Sequence, residues 1–398
     1  MHPAEEIRGV KSNKLKGKKV ILGATGSIAA VETIRLAREL LKHGAEVIPV
    51  MTKSATKIIH PDSLWFATGI KPIVELTGAA EHVSYCGRVK NPANLLLICP
   101  CTANTISKIA HGIDDTSVTT FATTAIGSNI PILIVPAMHL SMYDHKIIQK
   151  NIKICQNIGI NFIEPNIEKN KAKLPDIEKI LSYTIRQLTQ KDFVNKKILI
   201  IGGPTVEEID DIRLLTNKSS GKTAVTLAKQ SFFMGANVTI WYGYANEKIP
   251  DYLNKEDFRT INDLEKLIEK TKLEEFDYII VCAAIADYTP LKQKGKIKSG
   301  KKDLMIQLKP SNKIIPKIRK KSPNSVIVGF KVEDNKLYLN KKSKELLDKY
   351  KLDFVIGNTI SGFSEYKNEI WIYDKKGKMS YKKDIKSNLA EFILYNIK

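Results

Sequence analysis

Two stretches of the chain open in the same way. Lys18-Lys19-Val20-Ile21-Leu22-Gly23 and Lys196-Lys197-Ile198-Leu199-Ile200-Ile201-Gly202-Gly203 each run from lysines through a short, β-branched apolar stretch to glycine. A continuous apolar run of this length is the pattern of a strand buried on both faces of a parallel sheet, with glycine where the chain turns toward a helix. Each run therefore predicts the first strand of its own α/β domain. After the first, Ile34, Leu36, Ala37, Leu40 and Leu41 keep helical spacing, His43-Gly44 stops that helix, and residues 46–51 form the next strand. Leu95–Cys99 and Ile132–Val135 are further strands, each followed by loop-like residues. Strands and helices alternating with short joins predict a doubly wound sheet.

The second run is followed by a predicted helix over 223–234, a stop at Gly235 and a strand over 237–242. Residues 278–282, 325–330 and 354–356 are three more strands. Ile370–Tyr373 with Lys375-Lys376-Gly377-Lys378 reads as a hairpin, and 385–397 as a closing helix. The stretch from Asn161 to Asp192 is polar and Lys-rich, with a helical pattern around Ile177–Leu188, and reads as the end of the first domain plus a linker. The predicted organisation is an N-terminal extension (1–16) and two doubly wound Rossmann-like α/β domains, 17–190 and 191–398.

Length supports that division, since 398 residues exceed what one compact core holds. No stretch approaches the roughly 18 apolar residues of a membrane span. The N-terminus carries Glu5, Glu6 and Arg8 without an apolar segment, so the expectation is a cytoplasmic protein with no membrane partner. Five cysteines, irregularly spaced, read as reduced core residues rather than a disulfide framework. The formal charge of +21 is spread along the chain, densest from Lys292 to Lys321, with no zinc-finger or RNP-type motif. A solvated basic surface that attracts small phosphorylated substrates accounts for it, and no nucleic-acid partner is expected. All seven histidines lie at or before residue 145. Chemistry in the second half must therefore come from Lys, carboxylates, amides, a metal or backbone.

Three segments of the first half sit where strands give way to loops. Gly23-Ala24-Thr25-Gly26-Ser27-Ile28-Ala29-Ala30 joins the first strand to the first helix, a place suited to phosphate, although the spacing is not Gly-x-Gly-x-x-Gly. Cys99-Pro100-Cys101-Thr102-Ala103-Asn104-Thr105 brings hydroxyls and an amide to another strand end, where open α/β sheets bind ligands. Pro136-Ala137-Met138-His139-Leu140-Ser141-Met142-Tyr143 follows the strand at 132–135. These motifs, in this order over residues 17–165, resemble the homo-oligomeric flavin-containing cysteine decarboxylases, a flavodoxin-like family that includes phosphopantothenoylcysteine decarboxylase. The resemblance implies that Gly26, Ser27, Ile28 and Thr52, with Thr102, Asn104 and Thr105, meet FMN held between subunits. It implies that His82 is the active-site histidine, and that Met138, His139 and Met142 belong to the substrate loop. Two departures stand out. His139 replaces the asparagine usual in Pro-x-Met-Asn. The stretch from Glu164 to Leu174, which matches the family's Gly-rich flap, holds neither the proton-donating cysteine nor glycine. Either another acid, with His139 a candidate, completes the final reduction, or this half binds flavin without decarboxylating.

The second half carries Gly202-Gly203-Pro204-Thr205-Val206-Glu207-Glu208-Ile209-Asp210-Asp211-Ile212-Arg213, then Thr216-Asn217-Lys218-Ser219-Ser220-Gly221-Lys222 before a helix. The latter lacks P-loop spacing but is a polar, glycine-containing loop that can cradle phosphate. Cys282-Ala283-Ala284-Ile285-Ala286-Asp287-Tyr288, Lys296-Ile297-Lys298 and Gly329-Phe330-Lys331 follow. The ordered set resembles phosphopantothenate–cysteine ligase, the domain fused behind the decarboxylase in bifunctional coenzyme A enzymes. The resemblance implies an acyl-nucleotide made from CTP with Mg²⁺, held by Asn217, with Lys296 stabilising the developing charge. It places Ala283, Asp287, Lys296, Phe330, Lys344 and Lys349 at the nucleotide; Asn312-Lys313-Ile314-Ile315 stands where the family has Asn-Pro-Asp-Ile. The metal ligands, and the choice of CTP over ATP, stay open. Trimeric flavin domains and dimeric ligase domains, up to a dodecamer, are the assembly the resemblance implies.

Overall fold

The computed structural model describes residues 2–300, 303–360 and 367–398. Lys301 and Lys302 of the basic stretch lie outside the described residues. The chain divides into two compact units, Met1–Thr189 and Gln190–Lys398.

In the first unit, β1 (Lys19–Ala24), β2 (Glu46–Met51), β3 (Leu95–Cys101), β4 (Ile132–Pro136) and β6 (Asn161–Phe162) form a parallel sheet in the order β2-β1-β3-β4-β6. That is the flavodoxin-like order, with the sheet reversing direction between β1 and β3. Every residue of β3 and β4 is buried, as a sheet covered on both faces requires. Ile21, Ile48 and Leu96 pack with Ile106, Phe121 and Ile152, which come from three helices, Ala103–Ala110, Ser117–Gly127 and Lys146–Asn157. Two further helices, Thr33–Lys42 and Ile177–Leu188, pack on β2 and β3 respectively and on each other.

The linker reading of 161–192 is corrected by this arrangement. Residues 161–162 supply a sheet strand. Beyond them β7 (Asn166–Glu168) and β8 (Lys171–Lys173) form an antiparallel hairpin that pairs with β5 (Met138–His139). Helix Ile177–Leu188 buries Ile180, Leu181 and Ile185. The lysines that suggested a linker lie on the outer faces of these elements, while apolar side chains at helical spacing face in. Residues 2–16 also belong to the compact unit. Ala4 and Leu15 are fully buried, and the N–H groups of Gly9, Lys11 and Leu15 donate to the carbonyls of Leu41, Lys42 and His43. The segment thereby brings N–H donors to the carbonyls at the end of helix Thr33–Lys42 and just beyond it.

In the second unit, β9 (Lys197–Gly202), β12 (Asn237–Tyr242), β13 (Asn254–Asp257), β14 (Tyr278–Val281), β17 (Val326–Glu333) and β18 (Phe354–Thr359) lie parallel in the order β13-β12-β9-β14-β17-β18. Numbered among themselves these strands run 3-2-1-4-5-6, the doubly wound Rossmann order. The predicted hairpin is β19 (Lys367–Asp374) and β20 (Met379–Ile385), added antiparallel at the edge. Two small ribbons, β10 (Val206–Glu208) with β11 (Leu214–Thr216) and β15 (Tyr288–Pro290) with β16 (Leu308–Pro310), stand apart from the sheet. Gly202 ends β9 where helix Lys222–Phe233 comes closest: a Cβ there would lie 2.0 Å from that of Ala224. Among the described residues no helix is long and apolar enough to cross a membrane.

One carboxylate ties three segments of this unit. Asp353 accepts from Arg319 Nη2 at 2.7 Å, Lys375 Nζ at 2.8 Å and the Ile327 N–H at 3.0 Å. Burial alone would raise its pKa, but the bonds from Lys375, Ile327 and Arg319 outweigh it and hold the carboxyl below its ordinary value. A depressed carboxylate stabilises the fold above its unfolded pKa of about 3.9 and loses that contribution as pH falls through the lower folded value. Asp353→Ala is therefore expected to destabilise the second unit by about 2 kcal/mol at neutral pH in urea unfolding. The gap to wild type should narrow below about pH 4.

Candidate functional sites at two sheet edges

At the carboxyl edge of the first sheet, the loops after four strands are hydrogen-bonded to one another. The Thr25 hydroxyl donates to Pro100 O at 2.9 Å and accepts from the Thr102 N–H at 3.0 Å, joining the β1 and β3 loops. The Ser27 hydroxyl reaches Ala137 O beyond β4 at 3.2 Å, and the Thr52 N–H donates to Ala24 O at 3.0 Å. The first three loops then each start a helix with a hydroxyl cap. Ser27 accepts from the Ala29 N–H, Thr52 from that of Ala55, and Thr102 from that of Thr105. Gly26 approaches the β2 loop so closely that a Cβ would sit 2.6 Å from that of Ser54. The structure thus gathers Gly26, Ser27, Thr52, Thr102 and the buried Thr105 at one edge, with Asn104 exposed on the first turn of its helix and Ile28 76% exposed beside them. Thr25 also belongs to this cradle. Its signal was a buried hydroxyl next to glycine in a strand-ending loop.

His82 sits on the short helix Glu81–Cys86, which packs against helix Ser117–Gly127. Its Nδ1 is buried and has no partner among the described residues. Met138 and His139 are opposite Ala172 and Lys171 in the β5–β8 ladder, so the stretch from Glu164 to Leu174 lies directly beside the loop after β4. That hairpin turns at Lys169 and Asn170, both at positive φ. Cys86, Cys99, Cys101 and Cys155 are all buried. Burial pushes the thiol of Cys86 up to about 12 and that of Cys155 to about 11, so neither is an acid near neutral pH. His139 is exposed, and its Nδ1 accepts from the Ser141 N–H at 3.4 Å and bonds the Ser141 hydroxyl at 2.9 Å.

In the second unit, the loops after β9 and β14 interlock. The Ala284 N–H donates to Gly203 O at 3.0 Å, and the Asn217 side chain donates to Ala284 O at 3.0 Å. Asn217, Ala283, Asp287 and Phe330 line one cleft together with Asn312 and Lys313. Lys313 forms an ion pair with Asp287. Ala283, Ala284 and Phe330 also border a second lobe that reaches Ser219, Lys222 and Lys386. Burial, with Lys222 nearby, lowers the pKa of Lys386. Lys344 and Lys349 lie exposed on helix Lys336–Tyr350, outside the lining of both lobes; Lys349 stands 5.5 Å from the ring of Tyr350, a residue of the cleft wall. Lys296 is likewise outside the lining, on a strap described below. Among the described residues no group of three His, Cys, Asp or Glu could hold a metal ion.

Two acids of the loop after β9 have opposite electrostatics. Glu207 is buried with one hydrogen bond, from the Ile261 N–H at 2.9 Å, and burial raises its pKa. Asp210 is 1% exposed and well below the usual carboxylate range. The Ile297 N–H is the leading cause; the Arg213 and Ile212 N–H groups and the Arg213 guanidinium join it against burial. The sequence reading gave Asp210 no role.

Residues 8–189 match the flavoprotein family model, and residues 193–398 match the DNA/pantothenate metabolism flavoprotein C-terminal domain. The coenzyme A biosynthesis bifunctional protein CoaBC of Thermococcus kodakarensis is 42% identical over 98% of this chain and 97% of its own length. The protein of that name from Methanocaldococcus jannaschii is 37% identical over the same shares. A crystal structure of the DNA/pantothenate metabolism flavoprotein from Streptococcus pneumoniae aligns with TM-score 0.46 and 24% identity over 51% of this chain and 98% of that chain. With both domain models matched in order and relatives aligned from end to end, this chain belongs to the family of the coenzyme A biosynthesis bifunctional proteins.

Proposed function

We propose that the chain makes 4′-phosphopantetheine in two steps, ligation in the second unit and flavin-dependent decarboxylation in the first. The observation that carries this reading is the end-to-end match to bifunctional relatives, with a candidate site at the carboxyl edge of each sheet. A ligase-only role is not favoured, because the first half matches as fully as the second.

For ligation, the carboxylate of 4′-phosphopantothenate attacks the α-phosphate of CTP, forming the acyl-cytidylate and releasing pyrophosphate. The cysteine amine then attacks the acyl carbon, a C–N bond forms, and CMP leaves. Asn217, whose side chain donates to Ala284 O, would hold the acyl-nucleotide, and Ala283, Asp287 and Phe330, which line the same cleft, would receive the nucleotide. Lys296 supplies positive charge to the reacting phosphate, and Lys344 and Lys349 add cations farther out. Mg²⁺, bound with the nucleotide, would offset the charge of its phosphates.

The first unit fits FMN. Helix starts capped by hydroxyls offer N–H groups to a phosphate, the Gly26 approach leaves bare backbone at the turn, and the orphaned His82 Nδ1 awaits a polar partner. Gly26, Ser27, Ile28, Thr52, Thr102, Asn104 and Thr105 would hold it. When bound, FMN would supply the reversible two-electron chemistry that eases loss of CO₂ from the cysteinyl group. His82 orients the substrate carboxylate, while Met138 and Met142 border the substrate. His139 supplies the last proton. With Nδ1 turned to Ser141, Nε2 is the ring nitrogen left to face the substrate. The exposed Ile28, Val31 and Met142 support a site completed by a second copy of the chain.

Gly26→Val should drive the β1 and β2 loops apart, so that the purified variant lacks flavin absorption while retaining ligation. Single changes should also separate the two steps. With 4′-phosphopantothenate, cysteine, Mg²⁺ and CTP, His82→Asn is expected to accumulate 4′-phosphopantothenoylcysteine, with decarboxylation down by about 100-fold or more. Lys296→Gln should lose ligation by about 100-fold or more. It should still decarboxylate 4′-phosphopantothenoylcysteine supplied to it. A variant that loses both steps, or neither, contradicts this assignment.

A further inference from the structure

The basic strap that carries Lys296 is stapled to the loop after β9 at successive points. Lys292 pairs with Glu208 at 2.6 Å and Asp211 at 3.1 Å, and the Gln293 N–H donates to Ile209 O at 2.9 Å. The Gly295 N–H donates to Asp211 Oδ2 at 2.9 Å. The peptide of residue 297 is gripped on both sides: its N–H donates to Asp210 Oδ2 at 3.0 Å, and its carbonyl accepts from both Arg213 Nη atoms at 3.2 and 3.3 Å. The Ile297 side chain is buried as well. Lys296 therefore stands between two pinned residues. It is exposed and makes no hydrogen bond or ion pair among the described residues, whereas Lys292 and Lys313 are both paired.

A carboxylate that accepts four hydrogen bonds while almost wholly buried is a rigid anchor, since breaking any bond strands a buried polar group. Its position at the root of the strap fixes the backbone and leaves the ammonium free. We propose that Asp210 is a positioning residue for ligation, which with Arg213 clamps the peptide of Ile297 and so sets the point from which Lys296 reaches the reacting phosphate. The inference rests on the assignment of Lys296 to ligation. It adds a second layer, in which a buried acid governs a cation that it does not touch.

The test compares Asp210→Asn, Lys296→Gln and the double variant in the full-length chain. Asp210→Asn should lower ligation kcat by about 100-fold, the scale of a misplaced catalytic group, with KM for CTP little changed. Trypsin should cut the strap at Lys294–Lys298 faster than in wild type. In the Lys296→Gln background, Asp210→Asn should cause no further loss, because both changes remove the same contribution. Equal fold losses in both backgrounds would overturn the clamp while leaving Lys296 in place, and wild-type ligation in Asp210→Asn would do the same. Wild-type ligation in Lys296→Gln would overturn both assignments. Should Asp210→Asn fail to fold, Arg213→Lys keeps the three backbone bonds to Asp210 and loosens the guanidinium's bond to Asp210 together with its grip on the Ile297 carbonyl. Its smaller loss in kcat should likewise vanish in the Lys296→Gln background, and a loss that persists there overturns the clamp.

Discussion

A parallel strand buried on both faces has nowhere to place polar side chains except beyond its ends. In this chain β1, β3, β4, β9 and β14 are buried apolar runs, so the hydroxyls, amides and charges that do chemistry are displaced to the loops that follow. Helices begin in those loops and bring unpaired N–H groups with them. Both candidate sites follow from that constraint. Where the order of strands reverses, between β1 and β3 and between β9 and β14, the two flanking loops diverge and leave a crevice for a ligand.

The two units build on this edge by different means. The first is local: Ser27, Thr52 and Thr102 each cap the helix that starts within a residue or so, and the cross-links among loops are single hydroxyl bonds. The second relies on long-range bonds. Asn217 reaches Ala284, Asp210 reaches Ile297 and Glu207 reaches Ile261, each across more than fifty residues of chain. The histidine-free second half thus presents at this edge an amide, an exposed lysine and buried acids whose charge is set by how many N–H groups point at them.

This difference also explains what could be read from the sequence. The strands ending in Gly23 and Gly202, the helix over Ile177–Leu188 and the closing hairpin were legible, because periodicity and punctuation are local properties. The cradle around Gly26, Thr52 and Thr102 was legible through motif order, although the motif did not single out Thr25. The linker part of the reading of 161–192 failed because composition outweighed pattern: lysines on outward faces masked a strand and a hairpin, and with them the packing of the helix read at Ile177–Leu188. The clamp on Ile297 was invisible. Nothing in Ile209-Asp210-Asp211-Ile212-Arg213 says that its partner lies 87 residues away.

The central claim is that one chain performs both steps although the hairpin paired with Met138–His139 carries no thiol. The most direct measurement is mass spectrometry of the purified, flavin-loaded protein incubated with 4′-phosphopantothenate, cysteine, Mg²⁺ and CTP. The account predicts that 4′-phosphopantetheine forms with release of CO₂. Accumulation of 4′-phosphopantothenoylcysteine as the final product, with flavin bound and no CO₂ released, would contradict it.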